Sequence, residues 1–335
     1  MKKQSKLVTI AVLAVFFLML ALFSTPKVLE WKVEQDEASA NSQFQYFPVT
    51  VDPKDKTITE NDEVNAFLAD QHSLLGAAIL SDAGNHLWSM FEDMAIAIDN
   101  APWYQDIASV SGQFVVVKPG MRKEQVAAAF GDALDWNSKE RQAFVTPSAS
   151  STLPFKEGSF YPGLYPVSLG MTPETVQTIV NDRFSDNVLS HYGTSTEMIV
   201  PLDEALTIAS LIQRETVSTD GMRLLSGIIW NRLFKGMNLQ IDATLQYAKA
   251  NKTSVTSWWP AVTPNDKYIA SPFNTYMHNG LPPTPIASPS VDAILAALNP
   301  VSTSCLYYFS DKQGNFHCSD TYAEHLSLLK EYYGN

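Results

Sequence analysis

One carboxylate in this chain of 335 residues stands where a core residue is expected. In the stretch LTIASLIQRET, Leu206 to Thr216, the residues Ile208, Leu211 and Ile212 recur at helical spacing, and Glu215 follows them by seven, four and three positions. At ~100° per residue its side chain falls within roughly 20–60° of those apolar neighbours, while Gln213 and Arg214 point elsewhere. Desolvation on an apolar face raises a carboxyl pKa, and the carbonyl end of a helix raises it further. An acid still protonated near neutral pH is what general-acid chemistry needs. The bland alternative is a helix end fraying into solvent, or a carboxylate paired with an arginine such as Arg223 or Arg232.

Other reactive residue types offer less. His72, His86, His191, His278, His317 and His325 show no HExxH or paired metal-ligand spacing, and no cysteine pair supports zinc, so neither a metal nor a cofactor is expected. No GxSxG elbow or phosphate-cradling glycine loop occurs, and the SDN at Ser185 to Asn187 lacks a well-placed SxxK and a KTG. Phe160, Tyr161, Tyr165, Trp258, Trp259, Tyr276, Tyr307 and Tyr308 cluster in the second half. Core packing is the default for each. Those on Pro-rich loops also suit a groove that stacks sugar rings.

Positioning such an acid takes a folded scaffold, and the composition supplies one. Hydrophobic residues make up 45% and charged residues 17%, enough for two domains with real cores and too apolar for a disordered chain. A net charge of −12 argues against a duplex nucleic-acid partner, which needs a basic face. After Lys2, Lys3 and Lys6 comes the apolar run Leu7 to Phe23, at the lower limit for a spanning helix and long for a signal-peptide core. No small-x-small cleavage pattern closely follows it. The lysines before it, against Lys27 and Lys32 beside acids after it, favour an internal N-terminus. The sequence thus reads as a single-pass anchor at 1–25 in the cytoplasmic (inner) membrane, with an extracytoplasmic body.

A polar stalk is expected at 26–43, then a mixed strand–helix region at 44–145 containing the strand–turn–helix GQFVVVKPGM–RKEQVAAAFGDAL. TPSASSTLP marks a linker at 146–154, and the rest, 155–335, forms a second α+β part. There, Thr172 and Pro173 start one helix, and Met222, Leu225, Ile229 and Leu233 line another that ends at Gly236. Ser288 and Pro289 are expected to cap a helix through Leu298. Cys305 and Cys318, the only cysteines, flank LYYFSDKQGNFH, which reads as a hairpin turning at Gly314 and Asn315. A bridge across the hairpin and two buried thiols are both compatible with that spacing.

Several segments together resemble one family. LTIASLIQRET, IIWNRLFKGMNLQIDATLQYA, SPFNTYMHNGLPPTPIASPS and LYYFSDKQGNFHCSDTYAEH stand in the order and spacing of the MltG/YceG-like endolytic murein transglycosylases. KEGSFYPGLYPVSLGMTPETV is similar to the family's segment around EGYLFPDTY, and GQFVVVKPGM looks like its LysM-like part. The resemblance runs from about Gly112 to the C-terminus. It implies a membrane-anchored LysM-like subdomain followed by an α+β catalytic domain. Glu215 falls on the catalytic glutamate, and Glu157, Gln240, Asp242, Asn274, Tyr276 and His325 fall on groove positions expected to bind substrate. Four positions depart from the family's pattern. Gly163 replaces an acid, Gln213 a first glutamate, Ala243 a frequent proline, and Leu326 an asparagine.

The activity so implied is cleavage of the bond between N-acetylmuramic acid and N-acetylglucosamine inside nascent peptidoglycan strands, leaving 1,6-anhydro ends and terminating elongation. One carboxyl serves twice, and the substrate's own hydroxyl is the nucleophile, so a second carboxylate is dispensable. Peptidoglycan synthases are the protein partners this suggests. Two rivals come from other classes: a wall-binding scaffold without turnover, and a muramidase-type hydrolase using Asp242 as second acid.

Overall fold

The computed structural model describes residues 46–68, 112–146, 156–250 and 257–334. The expected membrane span, the stalk and residues 147–154 of the expected linker lie outside the described residues. Among the described residues no helix is long and apolar enough to cross a membrane.

The described chain begins with a short antiparallel pair, β1 (Val51–Asp52) and β2 (Thr57–Ile58), and a helical stretch at 62–68. It continues with β3 (Gly112–Val117), α1 (Lys123–Ala133), α2 (Ser138–Val145) and β4 (Gly163–Ser168). Strands β3 and β4 pair antiparallel from Gly112 opposite Ser168 to Val117 opposite Gly163. Because side chains alternate along a strand, Val115, Val117, Tyr165 and Val167 share the face that packs on Val126, Phe130 and Phe144 of the two helices. The start of α2 is fixed by a capping box: Asn137 accepts from Lys139 N and Glu140 N, and Glu140 reaches back to Asn137 N at 2.8 Å.

Next comes α3 (Pro173–Asn187), with Thr172 at its N-cap and proline in its first turn, as the sequence predicts. Val176 and Val180 near its start belong to the small core, whereas Phe184 near its end belongs to the large one. The cores therefore do not divide at 146–154. Strand β4, beyond the expected linker, completes the sheet that β3 begins, and Phe47, Val51, Val64, Phe67 and Leu68 pack with the large core rather than with β3. Strand pairing and burial over long separations decide this, and local composition does not report them.

The large core surrounds α5 (Leu202–Glu215), which follows α4 (Thr194–Ile199). Leu206, Ile208, Leu211 and Ile212 are all 0% exposed, and each such burial is worth roughly 1.5–3 kcal/mol. Around α5 pack α6 (Thr219–Phe234), α7 (Asp242–Ala250) and α8 (Val291–Leu298). Helix α6 approaches the chain after α8 closely enough that a Cβ on Gly227 would stand 2.3 Å from the carbonyl oxygen of Val301. The N-cap of α8 is Ser290, not Ser288. The backbone of Ser288 is already committed: its oxygen accepts from Gly120 N at 2.7 Å and its N–H donates to Met121 O at 2.8 Å, tying the small unit to the large core. A hairpin, β5 (Tyr307–Ser310) and β6 (Phe316–Ser319), and α9 (Tyr322–Tyr333) complete the chain, and Cys305 is bonded to Cys318.

Candidate active site

The acid singled out by its place on an apolar stripe is the last residue of α5. Glu215 is half-buried there. Burial pushes its carboxyl up to about 7, and the charge of Asp242 adds to the rise. The main-chain N–H of Ala243 and the hydroxyl of Tyr308 donate to it, and Arg214 lies nearby; these three pull the other way. Asp242 is thus a cause of the rise that the periodicity of the stretch does not announce. The two arginines weighed as partners bond elsewhere. Arg223 donates to Asn299 O at 2.9 Å and Asn65 Oδ1 at 2.6 Å, and Arg232 donates to Leu306 O and Leu239 O, each at 2.6 Å.

Asp242 opens α7, an exposed residue whose Oδ1 accepts from the Tyr276 hydroxyl at 2.7 Å. Burial and this carboxylate both hold the Tyr276 phenol above its ordinary range, so it stays a donor. The turn entering α7 is left-handed at Gln240, φ +54°, a conformation uncommon outside glycine. The pairing of two loops holds it: Gln240 N donates to Thr275 O at 3.0 Å, and Ile241 N to Thr275 Oγ1 at 3.0 Å. That leaves the Gln240 side chain exposed beside Asp242. Asn274 is 0% exposed. Its amide donates to Lys267 O and Ile269 O at 3.1 and 2.8 Å and accepts from Tyr276 N at 2.9 Å, so it shapes the loop that carries Tyr276.

Glu215, Asp242, Tyr276, Gln240 and Asn274 thus belong to one neighbourhood. Glu157 and His325 stand apart from it. Glu157 is buried at the seam with the small unit, accepting from Lys123 N at 2.9 Å and from the Tyr247 hydroxyl at 3.2 Å. Burial first, and then Glu124, push its carboxyl up to about 8. His325 sits behind the hairpin, its ring centroid 5.6 Å from that of Tyr307 and 5.8 Å from that of Phe309. Burial and the Arg232 charge push its imidazole down, which favours the neutral ring.

Among the aromatics, Phe160 and Tyr165 are core residues at 0% exposure, whereas Trp258 stays 41% exposed. Trp259 stacks under Arg214 at 3.9 Å and donates from its indole to Gln125 Oε1 on α1 at 3.0 Å, so the small unit reaches the neighbour of Glu215. Two partners of the acid were not legible as such. Tyr308 stood only among the clustered aromatics, and a backbone amide has no side-chain signature; the departure from proline at Ala243 was its sole mark.

Known proteins resemble this chain in sequence and in fold. An endolytic murein transglycosylase of Streptococcus pneumoniae is 30% identical over 188 residues, 53% of this chain and 34% of that protein. One of Bacillus subtilis is 27% identical over 238 residues, 65% of this chain and 64% of that protein. The chain therefore spans about a third of the pneumococcal relative's length and just under two thirds of the other's. A crystal structure of a YceG-like protein from Listeria monocytogenes superposes with a TM-score of 0.53 at 25% identity, covering 68% of this chain and 80% of that one. The sequence profile of the YceG-like family matches residues 89–331, from before β3 to the last turns of α9, and the chain belongs to that family.

Proposed function

We propose that this protein is an endolytic lytic transglycosylase of peptidoglycan, cutting glycan strands between N-acetylmuramic acid and N-acetylglucosamine with Glu215 as its acid and base. The observation that carries the proposal is the setting of Glu215: a half-buried carboxyl ending the helix at the centre of the large core, beside Asp242 and pushed up to about 7, with two donors ready for its anionic form. A group with that pKa is populated in both protonation states near neutrality, as a residue serving two successive proton transfers must be. In the first step it protonates the glycosidic oxygen and the C1–O bond breaks. In the second it takes the proton from the muramic C6 hydroxyl as that oxygen closes on C1, giving the 1,6-anhydro ring and regenerating the acid. Between the steps the Ala243 N–H and the Tyr308 hydroxyl hold the carboxylate. Asp242, fixed by Tyr276, raises the proton affinity of Glu215, and Gln240 beside it is available to the sugar. Asn274 acts by shaping this wall, Glu157 by holding the seam, and His325 by packing the hairpin.

The relatives' names support the substrate class. The β3–α1–α2–β4 unit, two antiparallel strands with two helices between them, supports the LysM-like reading and a part in holding glycan. The Cys305–Cys318 bond suits an extracytoplasmic body, in keeping with a single-pass anchor in the cytoplasmic membrane, strand termination as the role and peptidoglycan synthases as neighbours.

Mass spectrometry of products from purified glycan tests the proposal, comparing wild type with Glu215→Gln. Internal cuts ending in 1,6-anhydro-muramic acid, reduced on the order of 10²–10⁴-fold in the folded variant, are expected. Reducing muramic ends would make Asp242 a second acid and the enzyme a hydrolase, while glycan binding without product would leave a scaffold.

A further inference from the structure

The hydroxyl that Tyr308 places on Glu215 comes from an element with little core of its own. Every residue of β5 and β6 except Ser319 keeps some solvent exposure, and no residue of α9, which packs on them, is buried. Two four-residue strands are marginal in water on their own, and of their residues Tyr308 and Phe316 pack against the large core. The covalent bond lies at the position that matters. Cys318 is the cross-strand partner of Tyr308, and Cys305 precedes Tyr308 by three residues, so the disulfide ties the strand entering at Cys305 to the residue facing Tyr308. Two further bonds act in the same segment: Arg232 Nε donates to Leu306 O at 2.6 Å, and Leu306 N donates to Ser319 O at 2.9 Å.

We propose that the Cys305–Cys318 disulfide is a positioning element of the active site: by cross-linking the hairpin it holds the Tyr308 hydroxyl on the Glu215 carboxyl, so that opening the bond loosens the acid's partner. The catalytic consequence rests on Glu215 being the transferring acid; the positional one does not. Opening the bond with a dithiol proceeds by exchange. One thiolate attacks a cystine sulfur, the second closes the reagent's own disulfide, and two electrons and two protons leave the dithiol as two cysteine thiols form.

The experiment compares oxidised and dithiothreitol-reduced full-length protein, wild type and Tyr308→Phe, with a Cys305→Ser/Cys318→Ser variant beside them. The readouts are the pH dependence of glycan cleavage, with kcat and KM separated, and the titration of Glu215 without substrate. That titration is taken as the difference in carboxyl NMR signals from Glu215→Gln. A hydrogen bond to a charged group is worth about tenfold or more. Reduction of wild type is expected to lower kcat about tenfold with KM unchanged and to raise the Glu215 titration, whereas Tyr308→Phe begins near the lowered rate and does not respond. An equal response in Tyr308→Phe, or an unmoved titration, overturns the inference. A titration that moves in a chain whose Glu215→Gln variant still cleaves glycan upholds the positioning and overturns the catalytic reading instead. Should the double serine variant not fold, the reduced wild type supplies the comparison.

Discussion

Replacing Ala243 by proline removes a single hydrogen from the site. The donor to Glu215 is the main-chain N–H in the first turn of α7, and proline has none, while its fixed φ suits that turn. Hydrogen bonds to charged groups contribute about 1.5–3 kcal/mol, and one pKa unit corresponds to about 1.4 kcal/mol. Tyr308 remains as a donor and Glu215 is only half-buried, so the low end of that range applies, about one unit. The sign follows from which form loses a partner. The N–H bonds the carboxylate, so its loss favours the protonated acid, and the titration moves from about 7 to near 8. Because the first step needs the proton, cleavage falls as pH rises through this pKa, and the falling limb of the profile should move up by about one unit. The assay is release of anhydro-muramic ends against pH under kcat/KM conditions, with thermal unfolding to verify the fold, since Ala243 is only 2% exposed. A folded variant whose limb stays in place, or moves down, refutes this account of the acid.

Two other substitutions address the scaffold. Folded Glu157 keeps its proton up to about pH 8, whereas an unfolded glutamate loses it near 4.5, so its share of stability is intact below pH 4.5 and lost as pH rises through about 8. Glu157→Gln should therefore match wild type in urea at pH 4.5 and exceed it at pH 8.5 by an amount on the order of a few kcal/mol; equal stability at both would refute the burial argument. Gly158→Ala, at φ +92° and with a new Cβ 2.7 Å from that of Pro285, should cost about 2–4 kcal/mol across the seam. Gly236→Ala, at φ +64° with nothing within 4 Å, should cost only about 1–2 kcal/mol, and equal losses would show that the contact with Pro285 is immaterial.

What sequence alone made legible follows the range of each interaction. The stripe ending in Glu215, the Thr172–Pro173 start of α3 and the hairpin turning at Gly314, φ +87°, are local patterns, and each appears where periodicity or capping puts it. The pairing of β3 with β4 is not local, nor is the packing of residues 47–68 on the core around α5; no spacing rule reaches that far. Asn274 illustrates a different limit. Its place in the loop was legible, but a buried amide and a groove ligand look alike in sequence, and only the carbonyls of Lys267 and Ile269 reveal its task.

The departures from the family's pattern gain physical sense from their distance to the acid. Gly163 faces the small unit, where a Cβ would meet Arg183 Nη1 at 2.9 Å, and Arg183 already donates to Leu164 O, so the lost acid concerns that sheet and not Glu215. Leu326 is 48% exposed on α9, where asparagine or leucine meets mostly water. The remaining two act at the site. Gln213 accepts from Ser290 N at 2.9 Å and so helps start α8; a glutamate could accept the same bond but would add a negative charge two residues from Glu215. Ala243 supplies a donor that proline cannot. Both changes favour the carboxylate, against burial and Asp242, which favour the acid. That opposition keeps Glu215 near 7, where one group can both give and take a proton.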